Sequence, residues 1–254
     1  MMPIRVLVPS GVLGLGFDPA ALARGVAAGP DIIAIDGGST DSGPFYLGTG
    51  TSKYSRSVCR DEWRYLLKAR AAAGVPLVIG SCGTCGSASA VDWMFEITCE
   101  LVNELGQSLR VARLYSDVPI DELRRARDAG RLSPLDSAPP VDDAALAGIT
   151  NIVALAGAEQ IQAANDTGAD VVLAGRTTDT ATIAALPLAR GAHEGGAWHG
   201  AKIAECGAFC TTRPASGVIM VSFDETGFTV TPMGDGVALL TCGNYYRIIK
   251  TDTI

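Results

Sequence analysis

The feature that most constrains this chain is the recurrence of short β-branched runs, each followed by a polar loop and then a stretch with helical periodicity. The runs occupy residues 5–9, 31–36, 76–81, 110–115, 151–156 and 170–175. Their near-continuous apolar character suits parallel strands covered on both faces better than strands with one wet face. Asp18-Pro19 opens a helix that Gly29-Pro30 closes, residues 60–73 and 89–105 are amphipathic, and Pro119 with Asp121 and Glu122 opens another that Gly130 ends. Further helices are expected over 158–167, 180–190 and 197–209. Six strand–helix alternations imply right-handed crossovers and a mostly parallel sheet with helices on both faces. The expected fold is therefore α/β, Rossmann-like and doubly wound. A partial or modified (β/α) barrel is the alternative, because a complete one needs two more strand–helix units. Residues 217–223 and 228–232, separated by Asp224-Glu225-Thr226-Gly227, read as a C-terminal β-hairpin. One α/β domain over 1–235 follows, with the Pro-rich segment 133–141 as a candidate hinge and an irregular tail over 236–254.

Composition narrows the function classes. Of 254 residues, 48% are hydrophobic and 19% charged, which describes a packed domain and excludes a disordered chain. The net charge of −7 leaves no basic face for nucleic acid or an anionic membrane. No apolar run approaches the roughly 20 residues that span a bilayer, and the N-terminus carries no secretory pattern, so a soluble cytoplasmic protein is expected. Seven cysteines, an odd number, read as reduced thiols.

In either architecture, ligands bind at the carboxyl ends of the parallel strands, where loops and helix N-termini converge. The small polar residues of this chain gather at those positions: Pro9-Ser10-Gly11, Asp36-Gly37-Gly38-Ser39-Thr40-Asp41, Ser81-Cys82-Gly83-Thr84-Cys85-Gly86, Tyr115-Ser116-Asp117, Gly157-Ala158-Glu159 and Gly175-Arg176-Thr177-Thr178-Asp179. One shared crevice for a small polar ligand is implied, the glycines admitting close backbone approach. Any single loop of this kind is also explained as a strand-to-helix linker with N-caps. Arg176, leaving an apolar strand and entering a Thr-rich turn, suits bidentate recognition of a carboxylate or phosphate, and Arg176→Ala is then expected to abolish binding with the fold intact. A salt bridge to Asp36 or Asp179 is the alternative. Asp36 and Asp41 suit acid–base catalysis, a divalent metal or ligand hydroxyls. Glu205 and Cys206, on a helix with His199 and Lys202, form a reserve pair of base and nucleophile.

Two motifs carry a weaker reading. Gly14-x-Gly16 with Asp36 downstream resembles a dinucleotide fingerprint but lacks its third glycine, so NAD is disfavoured. Cys82-x-x-Cys85 has no second CxxC; a mixed zinc site with His199, Cys206 and Cys210 on one helix face is the alternative to core thiols.

The strings IDGGSTDSGPFYLGTG, GSCGTCG with VDWMFEI, ADVVLAGRTTDTATIAALPLARG and AWHGAKIAECGAFC resemble the acyclic terpene utilisation A (AtuA-like) family, in order over about residues 4–235. The resemblance implies a catabolic role on branched, terpenoid acids and points to Asp36, Gly37, Ser39, Asp41, Gly43, Pro44 and Tyr46, to Gly175, Arg176 and Asp179, and to His199, Lys202, Glu205, Cys206 and Gly207. Family members are typically longer, so a truncated or minimal member is expected, with part of the site absent or supplied by a second subunit. Small residues often replace Cys82 and Cys85 in the family, which argues against essential chemistry at the CxxC.

The sequence reading is thus a hydrolase or lyase of a small carboxylic acid or acyl thioester. Its catalytic candidates are Asp36, Asp41, Glu205 and Cys206; Gly37, Gly38, Ser39, Tyr46, Ser81, Gly83, Arg176, Thr177, Asp179 and His199 are expected to bind substrate. No metal ligand is assigned, a divalent metal stays open as cofactor, and a homo-oligomer is expected. The alternatives are a non-catalytic metabolite-binding or scaffold subunit and, third, an NAD-binding oxidoreductase.

Overall fold

The structure, a computed structural model, describes residues 2–38 and 42–240. In chain order its elements are β1 (Ile4–Val8), α1 (Pro19–Ala27), β2 (Ile32–Asp36), α2 (Phe45–Thr49), α3 (Arg56–Ala73), β3 (Leu77–Gly80), α4 (Ala88–Leu105) and β4 (Val111–Leu114). There follow α5 (Ile120–Asp128), α6 (Asp143–Ala147), α7 (Ala158–Asp166), β5 (Val171–Ala174), α8 (Ala181–Ala189), α9 (Glu194–Ala204), β6 (Ile219–Phe223) and β7 (Phe228–Pro232).

Seven strands form one mixed sheet in the order β4-β5-β3-β2-β1-β6-β7. Strands β1 to β5 pair in parallel, and the antiparallel hairpin β6–β7 is added to β1, with Val6 opposite Val221. The fold is the α/β architecture expected, with its C-terminal hairpin. Side-chain alternation builds two cores. Leu7, Ile33, Ile35, Leu77 and Ile79 meet α1, α3 and α4 on one face, while Val6, Ile32, Ala34, Val78 and Val172 meet α7, α8 and α9 on the other. Both faces being covered explains why every residue of β2, β3 and β5 is buried.

One expected strand is absent. Residues 151–156 make only isolated bridges, Asp117 with Val153 and Ala156 with Thr177. Strand β5 already holds the place between β3 and β4. The segment therefore spends its hydrogen bonds on loops, from Ala154 N–H to Ser116 O at 2.7 Å and from Ala156 N–H to Arg176 O at 2.9 Å. The Pro-rich segment 133–141 is an exposed loop between α5 and α6, yet the strands on either side of it, β4 and β5, are paired neighbours.

Helices α3 and α4 are joined through Trp63, fully buried, whose indole N–H donates to Thr98 Oγ1 at 2.9 Å. Thr98→Val keeps the shape but leaves that donor buried without a partner, a loss of about 1–3 kcal/mol. A lowered urea midpoint with unchanged slope is the expected result.

Candidate active site

The loops leaving β1, β2, β3 and β5 lie side by side, because parallel strands release them at one end of the sheet. They extend the ladder beyond the strands: Gly37 N–H donates to Gly80 O (2.7 Å), Ser81 N–H to Gly175 O (2.9 Å) and Arg176 N–H to Gly86 O (2.9 Å). Here the glycines have a use that the sequence reading did not assign. A Cβ on Gly37 would fall 2.6 Å from Ser81 O, and one on Gly86 would fall 2.6 Å from the Arg176 nitrogen. These glycines face neighbouring loops and let backbone touch backbone. Ser81 and Thr84 adopt φ of 45° and 65°, which side chains rarely do.

Arg176 is sealed into this layer. Its Nη1 donates to Thr84 O at 3.0 Å and to Gly38 O at 3.3 Å, so it clamps the β2 loop to the β3 loop. Gly37, Ser81 and Thr177 are buried beside it, the Ser81 hydroxyl lying 3.3 Å from Thr177 O.

In front of the clamp is a cavity of about 260 Å³. Five of the expected catalytic and substrate-binding residues line it, Asp36, Gly38, Asp179, Glu205 and Cys206, together with Lys202, to which the resemblance pointed. It also takes Lys53 and Tyr54, and on its apolar side Val12, Leu15 and Phe209. Asp36 ends β2 and is 5% exposed, with Oδ1 accepting from Gly37 N–H at 2.9 Å. Burial, and then the negative charge of Asp179, hold its carboxyl well above the usual carboxylate range. The Gly37 and Gly38 N–H groups and the Arg176 charge oppose this without cancelling it. Asp36 is thus a carboxylic acid that keeps its proton where ordinary carboxylates have lost theirs.

The opposite wall comes from the end of α9. Lys202 Nζ pairs with Glu205 at 2.5 Å, the lysine largely exposed and the glutamate side chain 7% exposed. The hydrogen bond to Glu205 raises the Lys202 pKa, with Cys206 and Asp179 adding their charges. The helix ends at Ala204, and Gly207 turns the chain with φ of 61°. A Cβ there would lie 2.7 Å from the Gly11 nitrogen, so this wall packs directly on the β1 loop.

Other expected site residues lie elsewhere. Gly83 lines a separate cavity of about 340 Å³ with Trp93 and Arg56. His199 sits exposed on α9 with its ring against Phe228. Tyr46, half-buried on α2, packs edge-on to Phe45. Ser39 and Asp41 fall outside the described residues, although Gly38 and Ser42 both line the cavity. Lys53 and Tyr54 escaped the sequence reading because they stand 17 and 18 residues beyond Asp36 in a plain polar loop. Hydrogen bonds from Lys53 N–H to Thr84 Oγ1 at 3.1 Å and from Lys53 Nζ to Ser42 Oγ at 3.5 Å tie that loop to the site.

The two weaker motifs are used structurally. Glu62 accepts from Gly14 N–H at 2.7 Å and also from the Gly16 N–H, so a side-chain carboxylate occupies the glycine loop. Cys82 and Cys85 are buried free thiols, and burial pushes the Cys82 thiol far up. Cys206 is exposed and Cys210 buried, because the expected continuous helix face is broken at Gly207. Among the described residues no group of three or more His, Cys, Asp or Glu side chains is placed to hold a metal ion. No helix among them is long and apolar enough to cross a membrane.

Compared with known proteins, the chain matches the model of the acyclic terpene utilisation family protein AtuA over residues 49–237. That span includes Lys53, Arg176, Asp179 and Glu205–Phe209 and begins after Asp36. No curated protein and no solved structure matches the chain.

Two outcomes are expected. Between the unfolded-state carboxylate value of about 3.9 and its raised folded value, Asp36 binds a proton in the native state that the unfolded chain releases. Its contribution to stability therefore falls as pH rises through that interval and is lowest above the folded value. Asp36→Asn cannot ionise, so it is expected to be more stable than the native chain at neutral pH, with a flatter pH profile of the urea midpoint. Arg176→Ala releases two loops at once and is expected to cost about 2–3 kcal/mol, in keeping with hydrogen bonds from a charged group. A thermal melt unchanged from the native chain would exclude the clamp.

Proposed function

We propose, from the premise that the chain belongs to the acyclic terpene utilisation (AtuA) family, that it is a hydrolase or lyase acting on a branched carboxylic acid or its acyl thioester by general acid–base catalysis. The observation that carries this reading is Asp36, a buried carboxyl with a raised pKa facing a second carboxylate, Asp179, across a cavity that holds two lysines. Pairs of carboxyl groups whose environments push their pKa values apart divide the roles of acid and base.

In this reading, Asp36 donates its proton to the departing thiolate or hydroxyl, and Asp179 accepts one from water or from the carbon beside the carbonyl. Lys202, positioned by Glu205, and Lys53 attract the carboxylate or carbonyl oxygen of the substrate. The clamp of Arg176 acts from behind by keeping Gly38 and Thr84, and with them the Asp36 loop, in place. General acid–base catalysis of this kind is worth about 10²–10⁴-fold.

The test uses the purified chain with 3-methyl-branched acyl thioesters of N-acetylcysteamine, saturated and 2-unsaturated. Thiol release reads hydrolysis and loss of enoyl absorbance reads hydration. Asp36→Asn is expected to lower kcat by about 10²–10⁴-fold while melting no lower than the native chain; a variant at the native rate would sink the proposal. Binding without turnover by the native chain would instead favour the metabolite-binding subunit.

A further inference from the structure

We infer that a second cavity beside the acidic one is an acyl-chain subsite, whose walls Leu15 and Phe209 receive the apolar tail of the acid. The inference rests on the acid-binding reading of the first cavity and adds to it which residues select the chain. The second cavity, about 390 Å³, shares Gly11, Leu15, Cys206 and Phe209 with the first, so one ligand can occupy both. Its further lining is mostly apolar, including Phe17, Ala208, Pro214 and Ala215. Its one acidic side chain, Asp18, is turned to α1, where it accepts from Ala20 N–H at 2.9 Å and approaches Arg24.

The shared wall has an unusual make-up. Leu15 is 53% and Phe209 58% exposed, although their near neighbours Leu13 and Ala208 are buried in the two cores. Two large apolar side chains held in water side by side with a polar cavity lose free energy that a bound hydrocarbon chain would return. Glu62 holds the loop that presents Leu15 through the Gly14 N–H, and Gly207 turns the chain just before Phe209. Both walls are thus set by backbone geometry and stand ready for a ligand. A carboxylate or thioester head beside Asp36 and Lys202, with a hydrocarbon tail against Leu15, Phe209 and Phe17, matches both halves.

Isothermal titration of the whole chain with straight-chain carboxylates from butanoate to decanoate tests this. Affinity is expected to rise about twofold or more per added CH₂, below the roughly fourfold of complete burial. Leu15→Ser and Phe209→Ser, both at exposed positions, are expected to flatten that rise, with unchanged circular dichroism. Leu155→Asn, which removes an equally exposed apolar side chain elsewhere, is expected to leave it intact. No rise in the native chain, a rise that survives both Ser variants, an equal loss in Leu155→Asn, or no binding at any length would each overturn the subsite. Turnover of short acyl thioesters and its loss in Asp36→Asn are read separately, so the subsite and the acid–base chemistry fail independently.

Discussion

A single buried guanidinium, that of Arg176, bonds to carbonyl oxygens of two loops that leave different strands, Gly38 after β2 and Thr84 after β3. The rest of the site depends on this closure. Parallel strands deliver their loops to one end of the sheet, but nothing in the strands keeps those loops together once they have left it. Hydrogen bonds such as Ser81 N–H to Gly175 O continue the ladder for another residue or two, and glycines that tolerate no Cβ bring the backbones into contact. The result is a dense layer behind the cavity that keeps water from Asp36.

Withdrawing a carboxyl from water works against its ionisation, and the second carboxylate at Asp179 adds to the effect. The Arg176 charge and the two glycine N–H groups act in the other direction but are outweighed. Such an arrangement lowers stability at neutral pH. It differs from the other wall, where Lys202 and Glu205 form an ion pair with the lysine in solvent. One side of the cavity therefore holds a proton back while the other presents an ion pair.

Much of the fold could be read from the residues, since covered parallel strands have a pattern of their own: β1 to β5 and the hairpin β6–β7 fall where apolar runs predict them. The run at 151–156 was misread because an apolar stretch records only that it packs, and here it packs across loop ends. The site was legible where its residues stand at or near the end of a strand or helix, as do Asp36 at the end of β2, Asp179 two residues before α8 and Glu205-Cys206 just after α9. It was not legible at Lys53, Tyr54, Leu15 and Phe209, whose loops have no periodicity and whose placement depends on contacts with Thr84, Glu62 and Gly11. Arg176 is a ligand-binding candidate in the sequence, yet its hydrogen bonds go to the main-chain carbonyls of Gly38 and Thr84, which sequence cannot tell from a ligand's oxygens.

By itself the sequence determined the alternation of strand and helix, the end of the sheet at which polar groups gather, and the family resemblance. Each is written in local order: side-chain period, turn residues and contiguous motifs. Tertiary structure alone decided which of those polar groups face outward into the cavity and which are spent inward. That choice rests on contacts between residues tens to hundreds of positions apart, such as Gly38 with Arg176 and Gly11 with Cys206. The same glycine or arginine serves either purpose, and only the neighbour it meets in the folded chain separates the two.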